Sequence, residues 1–463
     1  REHNPFALVC GRVCPAFCEE RCRRGELDQP IAIRTVKRFM ADQEYATPWT
    51  PEPVGTPEER QAAAQKKVAV IGAGPGGLTA ALRLAQRGYK VTVFEKLPIP
   101  GGMMTVGIPE YRLPREPLLA EVAHIQRAGV DIRYNQTLGK DFTVDSLLEK
   151  DKFAAVILAI GAHLSRKLGI PGEDKAGVVH GTDFLREIGL SQTSDVLRVP
   201  YSVKGKRVAI VGGGDVAIDA ARSAWRLGAK EVHIIYRRQL QDMPAHKEEI
   251  AAARQEGIQF HFLANPTKVL GDGHVSGVVV QRQRLAEFDD SGRRRPKPIE
   301  GEEFTLDVDV LIPAIGQTTD TSWLDGSQIE MTKANTFAVN EAFMTSRPGV
   351  FACGDAVSGP WTVIGAVGQG NLVAVAVDTW LKTGKLAKPR YETPRHDVPL
   401  RHNLEDYAEA QRPAMPEVSV AERQGSFCEV ELGLDEKTAC EEAKRCLRCD
   451  LEWLDYMKIP RPE

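Results

Sequence analysis

The sequence predicts an α/β chain built on two Rossmann-like dinucleotide-binding domains of the three-layer β/β/α type. A small α-helical cysteine segment precedes them, and a cysteine-bearing C-terminal tail follows. Three observations carry this reading. First, "KKVAVIGAGPGGLTAALRLAQRGYKVTVFEK" gives a buried strand, a glycine turn, an amphipathic helix and a second strand, and "GKRVAIVGGGDVAIDAARSAWRLGAKEVHIIYRR" repeats the pattern. Second, the nine cysteines crowd the two ends and leave only Cys353 between them. Third, 463 residues are long for one core, and 42% apolar residues are ample to fill two or three.

Residues 1–45 form the first segment, where "IAIRTVKRFMAD" is apolar at helical spacing and reads as a helix packed under the cysteines. "REHNPF" reads as the tail of a helix whose front lies upstream of Arg1. A proline-rich linker over 46–66 is expected to be extended and semi-rigid. The first dinucleotide domain takes 67–163, the second 164–315, and 316–390 completes the first. Two later apolar strands, "AAVILAIGA" and "VDVLIPAIGQ", support that split. They resemble the return strands of two-dinucleotide flavoproteins, in which the chain leaves the flavin domain, builds the nicotinamide domain and comes back. The stretch "RLAEFDDSGRRRPKPIEGEE" is polar and turn-rich and reads as a solvated hairpin, with Arg293 to Arg295 as surface charge. Residues 391–463 form a C-terminal arm.

A net charge of −3 gives no attraction for nucleic acid or an anionic membrane, which leaves protein and small-molecule partners. The most apolar stretch, "WTVIGAVGQGNLVAVAVDTWL", contains Gln369, Asn371 and Asp378 and is too polar for a bilayer span. No secretory leader opens the chain, and clustered cysteines without one suit metal ligation in a reducing cytoplasm better than disulfides.

In "GAGPGG", Gly72, Gly74 and Gly77 match G-x-G-x-x-G. The first allows the tight turn, the second lets backbone approach a pyrophosphate, and the third packs helix on strand. The helix N-terminus then meets the phosphates, and Glu95, ending "VTVFE", is placed to accept ribose hydroxyls. The distant segment "GVFACGDAVSGPWTVIGAVGQG" resembles the flavin-binding end of pyridine-nucleotide flavoproteins. That likeness implies FAD in the first site, with Gly354 and Asp355 at the ribityl chain and the helix N-terminus near Ala366 and Val367 facing the flavin pyrimidine.

In "GGGDVA", Gly212, Gly214 and Ala217 fit G-x-G-x-x-A, with Asp215 opening the helix. At the end of the second strand the chain reads "HIIYRR" where NAD sites place a carboxylate. Arg237 and Arg238 suit a 2′-phosphate instead, so NADPH is expected over NADH. Gly316, after the second return strand, is included in this site. FAD beside NADPH implies hydride transfer set by cofactor positioning, with no catalytic acid or base required. Disulfide reductases of this architecture carry a redox-active cysteine pair, whereas Cys353 stands alone and reads as a small buried residue.

Cys10, Cys14, Cys18 and Cys22 recur every four residues. On a continuous helix they would scatter around the axis, so Pro15 after Cys14 points to a broken, looping segment. Four thiolates there suit a cubane iron–sulfur cluster or a structural zinc. A flavin that accepts electron pairs and releases single electrons favours the cluster.

The residues "NPFALVCGRVCPAFCEERC", "GAGPGG", "PGGMMTVGIPEYRLP", "GGGDVAIDAARSAWRLGAKEV", "YRRQLQDMPAHKEE" and "FACGDAV" resemble, in order, one family. It comprises the glutamate synthase small subunit, the N-terminal half of dihydropyrimidine dehydrogenase and the large subunit of NADH-dependent ferredoxin-NADP oxidoreductase. The likeness implies FAD, NADPH and two [4Fe-4S] clusters, with the loop at Gly102 and Met103 near the flavin ring. This sequence departs from the family in three ways. The upstream R-C-L-x-C type of segment is missing before Arg1, "EEAKRCLRCD" stands near the C-terminus instead, and Lys37 replaces a glutamine that some relatives use.

Two arrangements follow. In one, the tail folds back so that Cys446 and Cys449 replace the missing pair. In the other, the four N-terminal cysteines hold one cluster and Cys428, Cys440, Cys446 and Cys449 another. The expected function is an electron-transferring subunit moving electrons between NADP(H), FAD and [4Fe-4S] clusters to or from ferredoxin or a protein partner subunit, in a glutamate synthase-like, hydrogenase, formate dehydrogenase or electron-bifurcating complex. The alternatives are a free-standing NADPH:acceptor reductase with structural zinc and a non-catalytic scaffold.

Overall fold

The computed structural model describes residues 2–45, 50–192, 202–288, 292–390, 410–451 and 458. Its first sheet has five parallel strands in the order Val350–Ala352, Ala155–Leu158, Lys67–Ile71, Lys90–Phe94 and Asp131–Arg133. The second has four, also parallel: Val310–Pro313, Arg207–Val211, Glu231–Tyr236 and Gln259–Phe262. Strand Val350–Ala352 pairs with Ala155–Leu158 although the whole second sheet lies between them in sequence. The first sheet is therefore completed by the chain's return.

Side-chain alternation explains why these strands read as unbroken apolar runs. Val68 and Val70 enter the core on one face of the first sheet, Ala69 and Ile71 the core on the other. In the second sheet Val208 and Ile210 pack under the helices. Ala209 and Val211 pack with Val269, Val278 and Val280 of an antiparallel sheet, Ala264–Leu270, Gly277–Phe288 and Arg294–Leu306. This gives the β/β/α layering. On the first sheet the matching face is covered by Val144, Leu147, Phe153 and Phe337, from segments joined by isolated bridges such as Leu138 to Phe142.

Three local expectations are modified. The spacer is not wholly extended. Thr56 and Glu59 form a capping box, each side chain taking the other's backbone N–H, and start a helix over Pro57–Ala63; residues 46–49 lie outside the described residues. The solvated hairpin is the tip of the long Gly277–Phe288 and Arg294–Leu306 pair, with 289–291 likewise outside. The cysteine segment shares the first domain's core. Phe6, Val9, Cys10 and Val13 enter the first domain's core, and the Leu8 and Val9 amides donate to buried Glu121 at 2.8 and 3.2 Å.

The C-terminal arm returns to that segment. Arg12 and Arg38 both reach Glu429 at 2.8 Å, and the Ala32 amide donates to Glu442 at 2.7 Å. Arg445 donates to the Gln29 carbonyl at 2.8 Å, and its own carbonyl accepts from Arg24 at 3.0 Å. Helix Glu436–Lys444 thereby lies against helix Ile33–Tyr45. Among the described residues no helix is long and apolar enough to cross a membrane.

Candidate active site

The first glycine turn is held by close approaches that only hydrogen side chains permit. Gly72 has φ 106°, and a Cβ there would lie 2.4 Å from the Ala159 carbonyl oxygen; at Gly77 it would lie 2.1 Å from that of Gly72. A Cβ on Gly74 would meet nothing within 4 Å, so this backbone faces open space where a pyrophosphate can approach. Glu95 is buried, and its two oxygens accept from the Ala73 and Leu97 amides at 2.7 and 2.8 Å. Burial pushes its carboxyl above the usual range. Gly102 stands over Gly74, which seats the loop carrying Met103 on the glycine turn.

One cleft joins Gly72, Gly74, Glu95, Gly102, Met103, Gly354, Asp355 and Ala366, as expected for the first site. Gly77 sits behind it as a packing residue. Burial pushes Asp355 up to about 6, and its Oδ1 accepts from the Trp361 amide at 3.3 Å. Thr362 caps helix Val363–Thr383, so Thr362 and Val363 reach the cleft where Val367 was expected. Val367, one turn further on, faces the core. Cys353 is fully buried, its thiol pushed up to about 12 by burial.

The same cleft extends to Asp215, Val216, Asp219 and His246 of the second domain. Gly212 repeats the first turn, with φ 149° and a Cβ position 2.3 Å from the Ala314 carbonyl oxygen, while Gly214 is open. Ala217 is buried in the first turn of helix Asp215–Arg226. His246 Nδ1 lies 2.7 Å from Asp215, and this hydrogen bond raises the histidine's affinity for its proton. The two expected 2′-phosphate arginines separate. Arg237 is exposed, whereas Arg238 is buried and its Nε donates to the Arg294 carbonyl at 2.9 Å. Gly316 lies apart from the cleft lining, at the crossing beside Arg166, whose amide donates to its carbonyl at 2.9 Å.

Val13 and Pro15 line this cleft too, which brings the cysteine loop into its wall. The segment is broken as Pro15 predicts: helix Ala7–Val13 ends, Ala16 takes φ 58°, and a short turn Phe17–Glu20 follows. Cys10 is set apart from the other three. It is 4% exposed, packed in the first domain's core near Asn4, and burial pushes its thiol up to about 12. Cys14 and Cys22 are half-buried and Cys18 is exposed. The Arg24–Arg445 contact brings the chain near Cys22 to the chain at Cys446; Cys428, Cys440 and Cys446 are exposed and Cys449 is half-buried. The donor set, thiols on both arms of this contact, suits an iron–sulfur cluster. Among the described residues no three His, Cys, Asp or Glu side chains are gathered as a metal site.

Residues 66–370 match the model described as pyridine nucleotide-disulphide oxidoreductase. The chain belongs to that family. Residues 1–49 of this oxidoreductase match the model of dihydropyrimidine dehydrogenase domain II, 4Fe-4S cluster. It is thus an FAD/NADP-binding fold joined to a 4Fe-4S domain. Its relatives include the beta subunit of NADP(+)-dependent formate dehydrogenase from Moorella thermoacetica, 46% identical over 97% of this chain and 66% of that one. The beta subunit of NADPH-Fe(3+) oxidoreductase from Geobacter sulfurreducens is 40% identical over 97% and 70%. The glutamate synthase [NADPH] small chain of Escherichia coli is 35% identical over 82% and 81%. The chain therefore spans about two thirds of the length of the first two. Among solved structures, Mycobacterium tuberculosis FprA in complex with NADPH aligns with TM-score 0.59 at 21% identity, covering 69% of this chain and 85% of its own. Thioredoxin reductase from T. acidophilum gives 0.51 at 23%, covering 69% and 100%. Both show the fold alone.

Several residues that line the oxidoreductase cleft, or pack beside it as Tyr111 and Phe17 do, bear no mark of that place in the sequence. Tyr111, Arg112, Asp219 and His246 lie in the quoted motifs "PEYRLP", "DAARSAW" and "MPAHKEE", yet nothing local marks them as neighbours. Phe17 and Trp361 likewise lie in quoted stretches, "CPAFCEERC" and "SGPWTVIGAVGQG", with nothing local to pair them.

Proposed function

We propose that this chain is the flavin- and iron–sulfur-bearing subunit of a cytoplasmic redox complex, moving electrons between NADP(H) and a protein partner. The observation that carries the reading is the single cleft shared by Glu95 and Asp355, by Asp215 and His246, and by Val13 and Pro15. A flavin, a nicotinamide and the cysteine loop would all open on it. FAD, when bound, accepts a hydride and releases single electrons. The chain's part is to hold the two dinucleotides and keep the loop close. Gly72 and Gly74 admit one pyrophosphate and Gly212 and Gly214 the other; Glu95 takes the ribose, and Asp355 the ribityl chain. Arg237 is the exposed guanidinium for the 2′-phosphate.

Cys14, Cys18 and Cys22 at the N-terminal end and Cys446 and Cys449 on the returning arm are the candidate thiolates, and a [4Fe-4S] cluster takes four of them. Cys10 is a core residue in this proposal. The names of the relatives support a formate dehydrogenase-type, ferric-reducing or glutamate synthase-type complex, and ferredoxin remains the alternative acceptor. Anaerobically purified protein mixed with NADPH or NADH tests the whole. NADPH should bleach the flavin faster than NADH, and a cluster signal should follow in electron paramagnetic resonance. Full flavin without iron would end the proposal.

A further inference from the structure

Phe17 and Trp361 meet across the boundary between the cysteine loop and the first dinucleotide domain. Their ring centroids are 5.9 Å apart at 32°. Phe17 stands between Cys14 and Cys18 and opens the short turn that follows left-handed Ala16. Trp361 lines the cleft beside Asp355, which accepts its amide N–H, and the ring covers Gly365, where a Cβ would lie 2.5 Å from it. Core formation does not explain the pair, because Phe17 is 38% and Trp361 63% exposed. The far end of the loop is tied elsewhere: Glu19 accepts from the Arg34 amide at 2.7 Å and from Arg412 at 2.6 Å. Phe17 stands between two cysteines, two residues on from cleft-lining Pro15, and touches Trp361 of the cleft wall.

We infer that Phe17 and Trp361 are a positioning pair that fixes the Cys14–Cys18 turn against the flavin site and sets the electronic coupling between flavin and cluster. This rests on the proposed function. Each electron crossing the boundary is one of the two lost by FADH⁻ as it returns to FAD with release of one proton, and it reduces one [4Fe-4S]²⁺ to [4Fe-4S]⁺.

The test uses the full chain with Phe17→Leu, Trp361→Leu, the double variant, and Phe17→Tyr as rescue. Amide hydrogen exchange over residues 17–20 should rise about tenfold in each Leu variant, as expected for one lost aromatic contact. The double variant should rise no further, and Phe17→Tyr should restore protection. In stopped flow, Phe17→Leu should bleach with NADPH as the parent does, while its cluster signal develops about tenfold more slowly. Unchanged exchange and unchanged cluster reduction in Phe17→Leu, or effects of the two substitutions that simply multiply, would overturn the inference. If a variant loses its iron, exchange alone decides. Parent protein that is never bleached by NADPH, or that lacks iron, would instead overturn the functional proposal.

Discussion

Arg112 holds both carboxylate oxygens of Asp219, at 2.9 and 2.8 Å, across the joint between the two dinucleotide domains. Its Nε also reaches Glu249 at 3.1 Å. Next to it, the Tyr111 ring carries the Arg226 and Arg222 guanidinium groups at 3.8 and 4.7 Å. The arm closes the same joint: the Val430 amide donates to the Tyr111 carbonyl at 2.9 Å, and Arg423 reaches Glu256 at 3.5 Å. The helix that follows the second glycine turn is therefore tied to the loop beside the first. That tie holds the two dinucleotide sites in one cleft.

Arg112→Ala should leave Asp219 buried without its cation. Breaking such a pair costs on the order of 3–5 kcal/mol, because the remaining charge keeps its desolvation penalty. A drop of several degrees in melting temperature is expected, with slower bleaching by NADPH as the domains lose register. The double variant Arg112→Met, Asp219→Leu should recover much of the melting temperature and little of the rate. Recovery of both would place the pair outside the redox geometry.

Asp355 gives a pH signature. Burial raises its folded pKa to about 6, so the folded, FAD-free protein binds this proton more tightly than the unfolded chain. Stability from this group is complete below the unfolded value and declines as pH rises toward 6, by on the order of 3 kcal/mol in all. Thermal melts of FAD-free protein between pH 4 and 7 should show a decline that Asp355→Asn flattens. Equal slopes in both proteins would refute the assignment. The same variant should bind FAD more weakly.

Arg237 and Arg238 should divide their duties. Arg237→Ala is expected to raise KM for NADPH about tenfold, with KM for NADH little changed, since one charged hydrogen-bonded contact to phosphate is lost. Arg238→Ala should lower the melting temperature as well, because it unties the Arg294 carbonyl. Steady-state kinetics with both nucleotides checks this, and an unchanged NADPH preference in Arg237→Ala would contradict it.

Removing the chain from Leu400 onward should cost iron at the N-terminal end, not only at the tail. The deletion takes away Glu429, so buried Arg38 loses its 2.8 Å partner, and it takes away Arg445, which holds Asp28 and Gln29. Iron per flavin should then fall nearly to zero. A truncated protein that keeps a full N-terminal cluster would favour separate clusters at the two ends.

What could be read beforehand follows physical rules. The glycine turns were legible because positive φ and close carbonyl contacts at Gly72 and Gly212 admit no side chain. The place of Glu95 beside the glycine turn is legible from its position at the end of "VTVFE", and its carboxylate accepts from the Ala73 amide. The start of helix Val363–Thr383 falls a turn earlier than expected because Thr362 caps it through the Gly365 amide, although β-branched Val363 and Ile364 and then Gly365 are weak helix formers. Arg237 and Arg238 look equivalent in sequence, yet the chain bends after strand Glu231–Tyr236, and the bend leaves one exposed and the other buried. Arg112–Asp219 and Phe17–Trp361 were hidden because each pair is made by docking of distant segments, which no local pattern encodes.

Cys10 is the sharpest case. Its even spacing with Cys14, Cys18 and Cys22 argued for a common role, but helix Ala7–Val13 turns it into the core with Phe6, Val9 and Val13. Burial raises its thiol to about 12, so in this fold it packs as a small apolar group. Cys10→Ala should therefore keep its iron and lose no more than about 1 kcal/mol of stability, the scale of one buried atom group removed. Cys14→Ala should lose iron while FAD content stays full. Iron and flavin assays on the two anaerobically purified variants decide between them. Equal iron loss in both would return Cys10 to the ligand set and require the first helix to unwind when the cluster binds.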